Sequence, residues 1–162
     1  MEQALKTTCK LIQDYMNLDD EHIYLYNNKW IIPKDGKLCV VVGTSQETPY
    51  HSSTKVNGLT EENTVLSTCL LNIDVFSRTR EALYRKNEVL MALNTSEAQN
   101  TFNKYGFYIP KLPMTFNQID EVDGTAILTR FNISFNMYYK TSKEYQSNYI
   151  ETINTPVLVV DK

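Results

Sequence analysis

Val65–Asn94 reads VLSTCLLNIDVFSRTREALYRKNEVLMALN, and its hydrophobic period changes from two to near 3.6 at Ser77. In the first half Val65, Cys69, Leu71, Ile73 and Val75 fall on one face, while Thr68, Asn72 and Asp74 fall on the other. That is the pattern of a strand with one side against a core, although Leu66, Leu70 and Phe76 make the second face less polar. In the second half Ala82, Leu83, Val89, Leu90 and Leu93 recur at helical spacing, and Lys86 can lay its stem along their stripe. Ser77 is placed to cap the first backbone amides. The stretch therefore predicts a strand feeding directly into a helix that packs back on the sheet.

Toward the C-terminus, Ser96-Glu97-Ala98-Gln99 matches a capping box, Ala98, Phe102 and Tyr105 give one apolar stripe, and Gly106 can end the helix in the left-handed conformation. A short extended piece is expected at Phe107–Pro110, a strand at Met114–Ile119 and a turn at Asp120–Gly124. The cleanest alternation in the chain follows: Ile127, Thr129, Phe131, Ile133, Phe135, Met137 and Tyr139 face one way, and Arg130, Asn132, Ser134 and Asn136 the other. This predicts a long antiparallel strand with one wet face. Residues Tyr145–Ile153 are ambiguous, and Pro156–Val160 is a short β-branched segment.

Toward the N-terminus, Glu2–Leu18 predicts an amphipathic helix with Leu5, Thr8, Cys9, Ile12, Tyr15 and Met16 on its core face. Asp19, Asp20 and Glu21 read as a solvated loop. Ile23–Ile32 holds two short aromatic-rich pieces, Pro33–Gly36 is a turn, and Leu38–Gly43 predicts a strand covered on both faces. Residues 44–63 are polar, with Pro49 and Gly58 as the only breakers. A long polar connection between two strong strands is more often functional than idle, so this segment predicts a projecting arm, either a hairpin extension or a mobile loop. The order of elements fits a single α+β domain spanning 1–162, a mostly antiparallel sheet with helices packed on one face, a projecting arm at 44–63 and a C-terminal segment at 156–162.

The sequence of 162 residues is long enough for one core, and 42% hydrophobic with 22% charged residues is an ordinary globular balance. The longest apolar run is far too short for a bilayer, and the start MEQALKTTCK carries no signal-peptide pattern. Cys9, Cys39 and Cys69 form an odd set without a close pair, which predicts free thiols in a reducing compartment, a host cytoplasm in this reading. A net charge of -3 gives no footprint for tight nucleic-acid binding, and the basic residues are too scattered among acidic ones for a stacking groove.

The segment LLNIDVFSRTREALYRKNEVLMALN resembles the strand-and-helix signature of bacteriophage tail terminator, or neck terminator, proteins. In that signature a strand reading Ile-Asp-Val, then an aromatic and a small residue, enters an Ala- and Leu-bearing helix. Ile73, Asp74, Val75, Phe76 and Ser77 occupy those positions here, with Ser77 where the family usually has Gly, and the likeness covers roughly residues 2–140. The resemblance implies a virion protein that forms a homo-oligomeric ring, usually a hexamer, capping the tail tube and joining it to the head-side neck or connector proteins. A head-completion or connector protein of the neck is the alternative within that class.

An enzyme needs converging reactive groups. Cys69 or Cys39 with His51 is the one loose nucleophile-and-base pairing, and both thiols sit in apolar strands where Cys behaves as a buried hydrophobe. Neither His22 nor His51 has metal-ligand spacing, and no Gly-rich phosphate loop is present, so no catalytic residue, metal or cofactor is expected. The candidate interface residues are instead Tyr50, His51 and Lys55 on the arm, Tyr138, Tyr145 and Tyr149, and Val157, Leu158 and Val159 near the C-terminus. The expected partners are further copies of the chain, the tail tube protein and the connector protein, with no membrane. DNA would pass through the ring without being held tightly, and Glu61 and Glu62 are the candidate acidic residues of its lumen.

Overall fold

The computed structural model describes residues 2–26, 33–110, 112–113, 115–123 and 126–146. In chain order it has helix α1 (Glu2–Met16), a 3-10 turn at Asp20–His22, strands β1 (Ile23–Leu25), β2 (Cys39–Asn57) and β3 (Thr60–Ser77), helices α2 (Glu81–Leu93) and α3 (Ser96–Lys104), and strands β4 (Phe107–Tyr108), β5 (Asn117–Asp123) and β6 (Ala126–Gln146). The sheet order is β1-β2-β3-β6-β4, with β5 also on β6. Every pairing is antiparallel except β1 with β2, so the α+β class with a mostly antiparallel sheet holds.

The alternation read in the sequence decides which side of the sheet is buried. Val75, Ile73, Leu71 and Cys69 of β3 lie opposite Phe131, Ile133, Phe135 and Met137 of β6, and all eight are buried. Val40 and Val42 extend that face into β2. Ala4, Ile12 and Met16 from α1, Ala82, Val89, Ala92 and Leu93 from α2, and Ala98 and Phe102 from α3 join the same core, so all three helices cover one face. Each large side chain removed from water there contributes about 1.5–3 kcal/mol. A smaller cluster of Cys39, Val41, Phe76 and Leu128 covers the other face near the start of β2.

Arg85 of α2 ties the layers together. It donates to Glu81 and Glu88 on its own helix and to the Met16 carbonyl at 2.6 Å, one of the orphan acceptors at the end of α1. Glu81 in turn accepts the Leu38 N–H at 2.9 Å where the chain enters β2.

Several boundaries differ from the sequence expectation. Strand and second helix are separated by Arg78, Thr79 and Arg80, so Ser77 is not adjacent to α2. Its hydroxyl nevertheless accepts the Ala82 N–H at 3.0 Å and donates to the Thr79 carbonyl, capping the helix from the strand end. The cap of α3 is Thr95 rather than Ser96: Thr95 Oγ1 accepts the Ala98 N–H at 3.1 Å. Gly106 does adopt positive φ, 73°. Tyr15 and Leu83, expected on core faces, are 48% and 42% exposed, and Ala92 takes the inner position on α2. Asp120–Asp123, expected as a turn, belong to β5. Among the described residues no helix is long and apolar enough to cross a membrane.

Candidate functional site

β2, β3 and β6 run on together well past the helices. Residues 44–63 form the outer part of the β2–β3 hairpin, turning at Gly58 (φ 61°) and Leu59, and β6 stays paired with β3 as far as Thr60↔Gln146. The arm is therefore three-stranded. Six steps of β6 from Lys140 to Gln146 carry it about 20 Å. Every residue of β2 from Ser45 to Asn57 and of β6 from Lys140 to Gln146 is exposed, while the middle strand is half-buried between them.

Two irregularities in β2 mark the root of the arm, between Ser45 and Thr48 and between Pro49 and His51, with Gln46 at φ 53°. Such bulges bend a strand and re-aim its side chains. Here one of them lets Glu47 accept a hydrogen bond from the Tyr139 hydroxyl across β3. Burial first and Glu47 second push the Tyr139 phenol up to about 12.

The second irregularity, between Pro49 and His51, sets Tyr50 edge-on to Tyr138, with ring centroids 6.0 Å apart, and Tyr108 of β4 lies 6.4 Å on the far side. With Leu66, Pro110 and Lys140 these rings line an open groove of about 470 Å³ on the sheet face away from the helices. Tyr50 and Tyr108 are each 55% exposed. Two residues expected at an interface, Tyr50 and Tyr138, are thus brought together. Tyr108 was missed, because a two-residue strand has no period to detect.

Further out, Tyr145 donates to Glu61, and Glu62 lies 3.6 Å from Lys140 Nζ. Lys55 pairs in register with Glu62, and His51 with Leu66. Adjacent residues of a strand point to opposite faces, so Glu61 and Glu62 lie on opposite faces of the arm close to its tip. Tyr149, Val157, Leu158, Val159 and the whole segment 156–162 lie outside the described residues.

The wet face of β6 is more organised than a solvated surface. Asp74, 5% exposed, receives two hydrogen bonds from Arg130, at 3.0 and 2.9 Å, and one from Asn132 at 2.8 Å. Ser134 donates to Asn72 at 2.7 Å and lies 3.1 Å from Asn132 Oδ1, and Asn72 donates to Ser45, so three strands are laced by one polar chain. The sequence placed these residues on one face but carried no signal that they would pair.

The loose Cys and His pairing is not assembled. Cys69 points to the core beside Met137, whereas His51 shares the opposite face with Leu66. Cys39 pairs with Phe76, ten residues along β3 from the His51 level, or about 33 Å. Burial pushes the thiols of Cys9 and Cys39 up to about 12 and that of Cys69 to about 11, far from a thiolate at neutral pH. His22, 4% exposed, has Nε2 2.9 Å from Asp35 Oδ2, and its Nδ1 lies 3.9 Å from Asp19, itself paired with Lys37. Among the described residues no group of three His, Cys, Asp or Glu side chains is placed to hold a metal ion. No protein-family model matches the chain, and no curated protein matches it.

Proposed function

We propose that this chain is a structural assembly protein whose work is binding: a ring-forming subunit that caps a phage tail tube and joins it to the head-side neck proteins. The observation that supports the reading best is the three-stranded arm, exposed on its outer strands and projecting past the core. An isolated ribbon with so little apolar surface of its own gains little by folding, and is a natural element for contact between subunits. The likeness of Ile73–Ser77 and the helix after it to tail terminators supplies the class of assembly.

The test is electron microscopy of the purified protein, alone and mixed with purified tail tubes and connector complexes. Rings of uniform diameter that seat on tube ends support the proposal. Rings that bind only the connector favour the head-completion alternative, and a hydrolytic activity lost in Cys69→Ser or His51→Ala would replace both with an enzyme.

A further inference from the structure

We propose that the arm is completed by other copies of the chain, the β2 edge at His51–Asn57 of one copy pairing in parallel with the β6 edge at Thr141–Gln146 of the next. This rests on the ring reading above and specifies its seam.

Among the described residues the two edges are bare for the same reason. β1 reaches only Val42 of β2, with Tyr26 adding a bond to the Val42 carbonyl, so past that point β2 has β3 alone as a described neighbour. β4 pairs with Tyr138 and Tyr139, Gly106 accepts the Lys140 N–H, and beyond Lys140 the outer side of β6 has no described neighbour. Exposed edges usually carry a blocking device. β2 has them at its root, where both bulges and Pro49 sit. From His51 to Asn57 its register is unbroken, as is that of β6 through Gln146.

The edges also match in height and charge. β3 gives the common scale: Lys55, Glu62 and Glu144 share one level, and Val56, Glu61 and Tyr145 the next. Both outer strands run antiparallel to β3, hence parallel to one another, as a cyclic ring with its arms aligned requires. With no axial offset between copies, Lys55 comes to lie beside Glu144 of the next chain, and Val56 beside its Tyr145. Within one chain Glu62 has Lys55 opposite it on one side and Lys140 at 3.6 Å, whereas Glu144 has only the like charge of Glu62 directly opposite among its described cross-strand neighbours. Among the described residues neither Lys55 nor Glu144 forms an ion pair, and Val56 and Tyr145 are 53% and 46% exposed. The seam answers all of these at once. Because one edge differs from the other, the contact is heterologous and is not used up in a dimer.

The experiment uses the full chain. Ser53→Cys with Ser142→Cys, level-matched across the seam and on one face, should oxidise to a ladder of cross-linked species ending at the size of the assembly, while each single variant should not. The native thiols are buried or half-buried and do not compete. Lys55→Glu should raise the concentration at half-assembly about tenfold, and Lys55→Glu with Glu144→Lys should restore it. Circular dichroism checks that each exposed variant stays folded. Assembly without the cross-link, or a reversal that leaves assembly unchanged, overturns the seam and leaves the ring standing. A chain that remains monomeric at every concentration overturns both.

Discussion

Asp74→Ala tests whether the polar chain on the outer sheet face is structural. The Asp74 side chain is 7% exposed and that of Arg130 29%. Removing one member of a fully buried pair destabilises by about 3–5 kcal/mol, because the other charge is left without compensation. Arg130 keeps partial access to water, which lowers the figure, whereas the Asn132 amide loses its acceptor, which raises it. The expectation is a loss of about 3 kcal/mol. In a chain of this size each kcal/mol moves Tm by about 2–4 °C, so calorimetry should record a fall of about 6–12 °C, with a matching loss in urea and an unchanged m-value. Asp74→Leu with Arg130→Met should recover part of the loss, since no guanidinium then faces the site its Asp74 partner has left. The exposed pair Lys6–Glu2 is the internal control, and Glu2→Gln should leave Tm unchanged. An Asp74→Ala protein that melts with the parent, as the control does, would refute the reasoning.

Three further outcomes are expected. Gly43→Ala should destabilise by about 1–3 kcal/mol in urea, because a Cβ there would lie 2.6 Å from Tyr26 Cβ, and that clash outweighs the gain of replacing Gly in a strand. Thr95→Ala should cost about 1 kcal/mol and Ser96→Ala almost nothing, separating the two candidate caps by thermal melting. Stability should decline as pH rises from about 9 to 12: the folded chain holds the Cys9, Cys39, Cys69 and Tyr139 protons to about 12, 12, 11 and 12, while the unfolded chain releases them from about 9 or 10. The unfolded state then binds fewer protons, so the stabilisation is complete below pH 9 and is lost through the folded values; denaturant titrations at pH 8 and 11 check the sign.

The fold was legible where burial imposes a period. The alternation from Thr129 to Tyr139 became the core face of β6, and that from Cys69 to Val75 became its partner in β3. Where burial is absent the signal weakened for a physical reason. The second half of β2 is solvated on both faces, so its residues need not alternate; 38–43 read as a strand, while 44–63 read as an arm whose pattern did not decide between a hairpin extension and a mobile loop. β5 reads NQIDEVD, poor in strand formers, and is held by its ladder to β6 rather than by propensity. Tyr15 and Leu83 fit a helical stripe, but the helices cover the sheet too narrowly to bury the stripe's margins. Of the candidate site, tyrosine enrichment found Tyr50 and Tyr138, yet only the bulge between Pro49 and His51 brings them together, and no sequence period announces a bulge.

That weak pattern bears on what the arm is for. A strand pair that buried its own apolar face would have been easy to recognise and would need no partner. The outer arm instead carries Ser52, Ser53, Thr54, Lys55 and Thr141, Ser142, Lys143, Glu144 on its two edges, residues that neither form a core nor resist solvation. Three strands of this kind contribute backbone hydrogen bonds worth about 1 kcal/mol net each, against about 1–2 kcal/mol of backbone entropy for every residue ordered. On these figures backbone bonds alone do not stabilise the isolated arm. Each additional ladder along a bare edge adds bonds to residues already ordered, so the second neighbour is gained at lower entropic cost than the first. A polar arm on a well-packed α+β core is thus poised to be stabilised by assembly, and hydrogen exchange at 51–57 and 141–146 should slow with association while exchange in β3 at 69–75 stays unchanged.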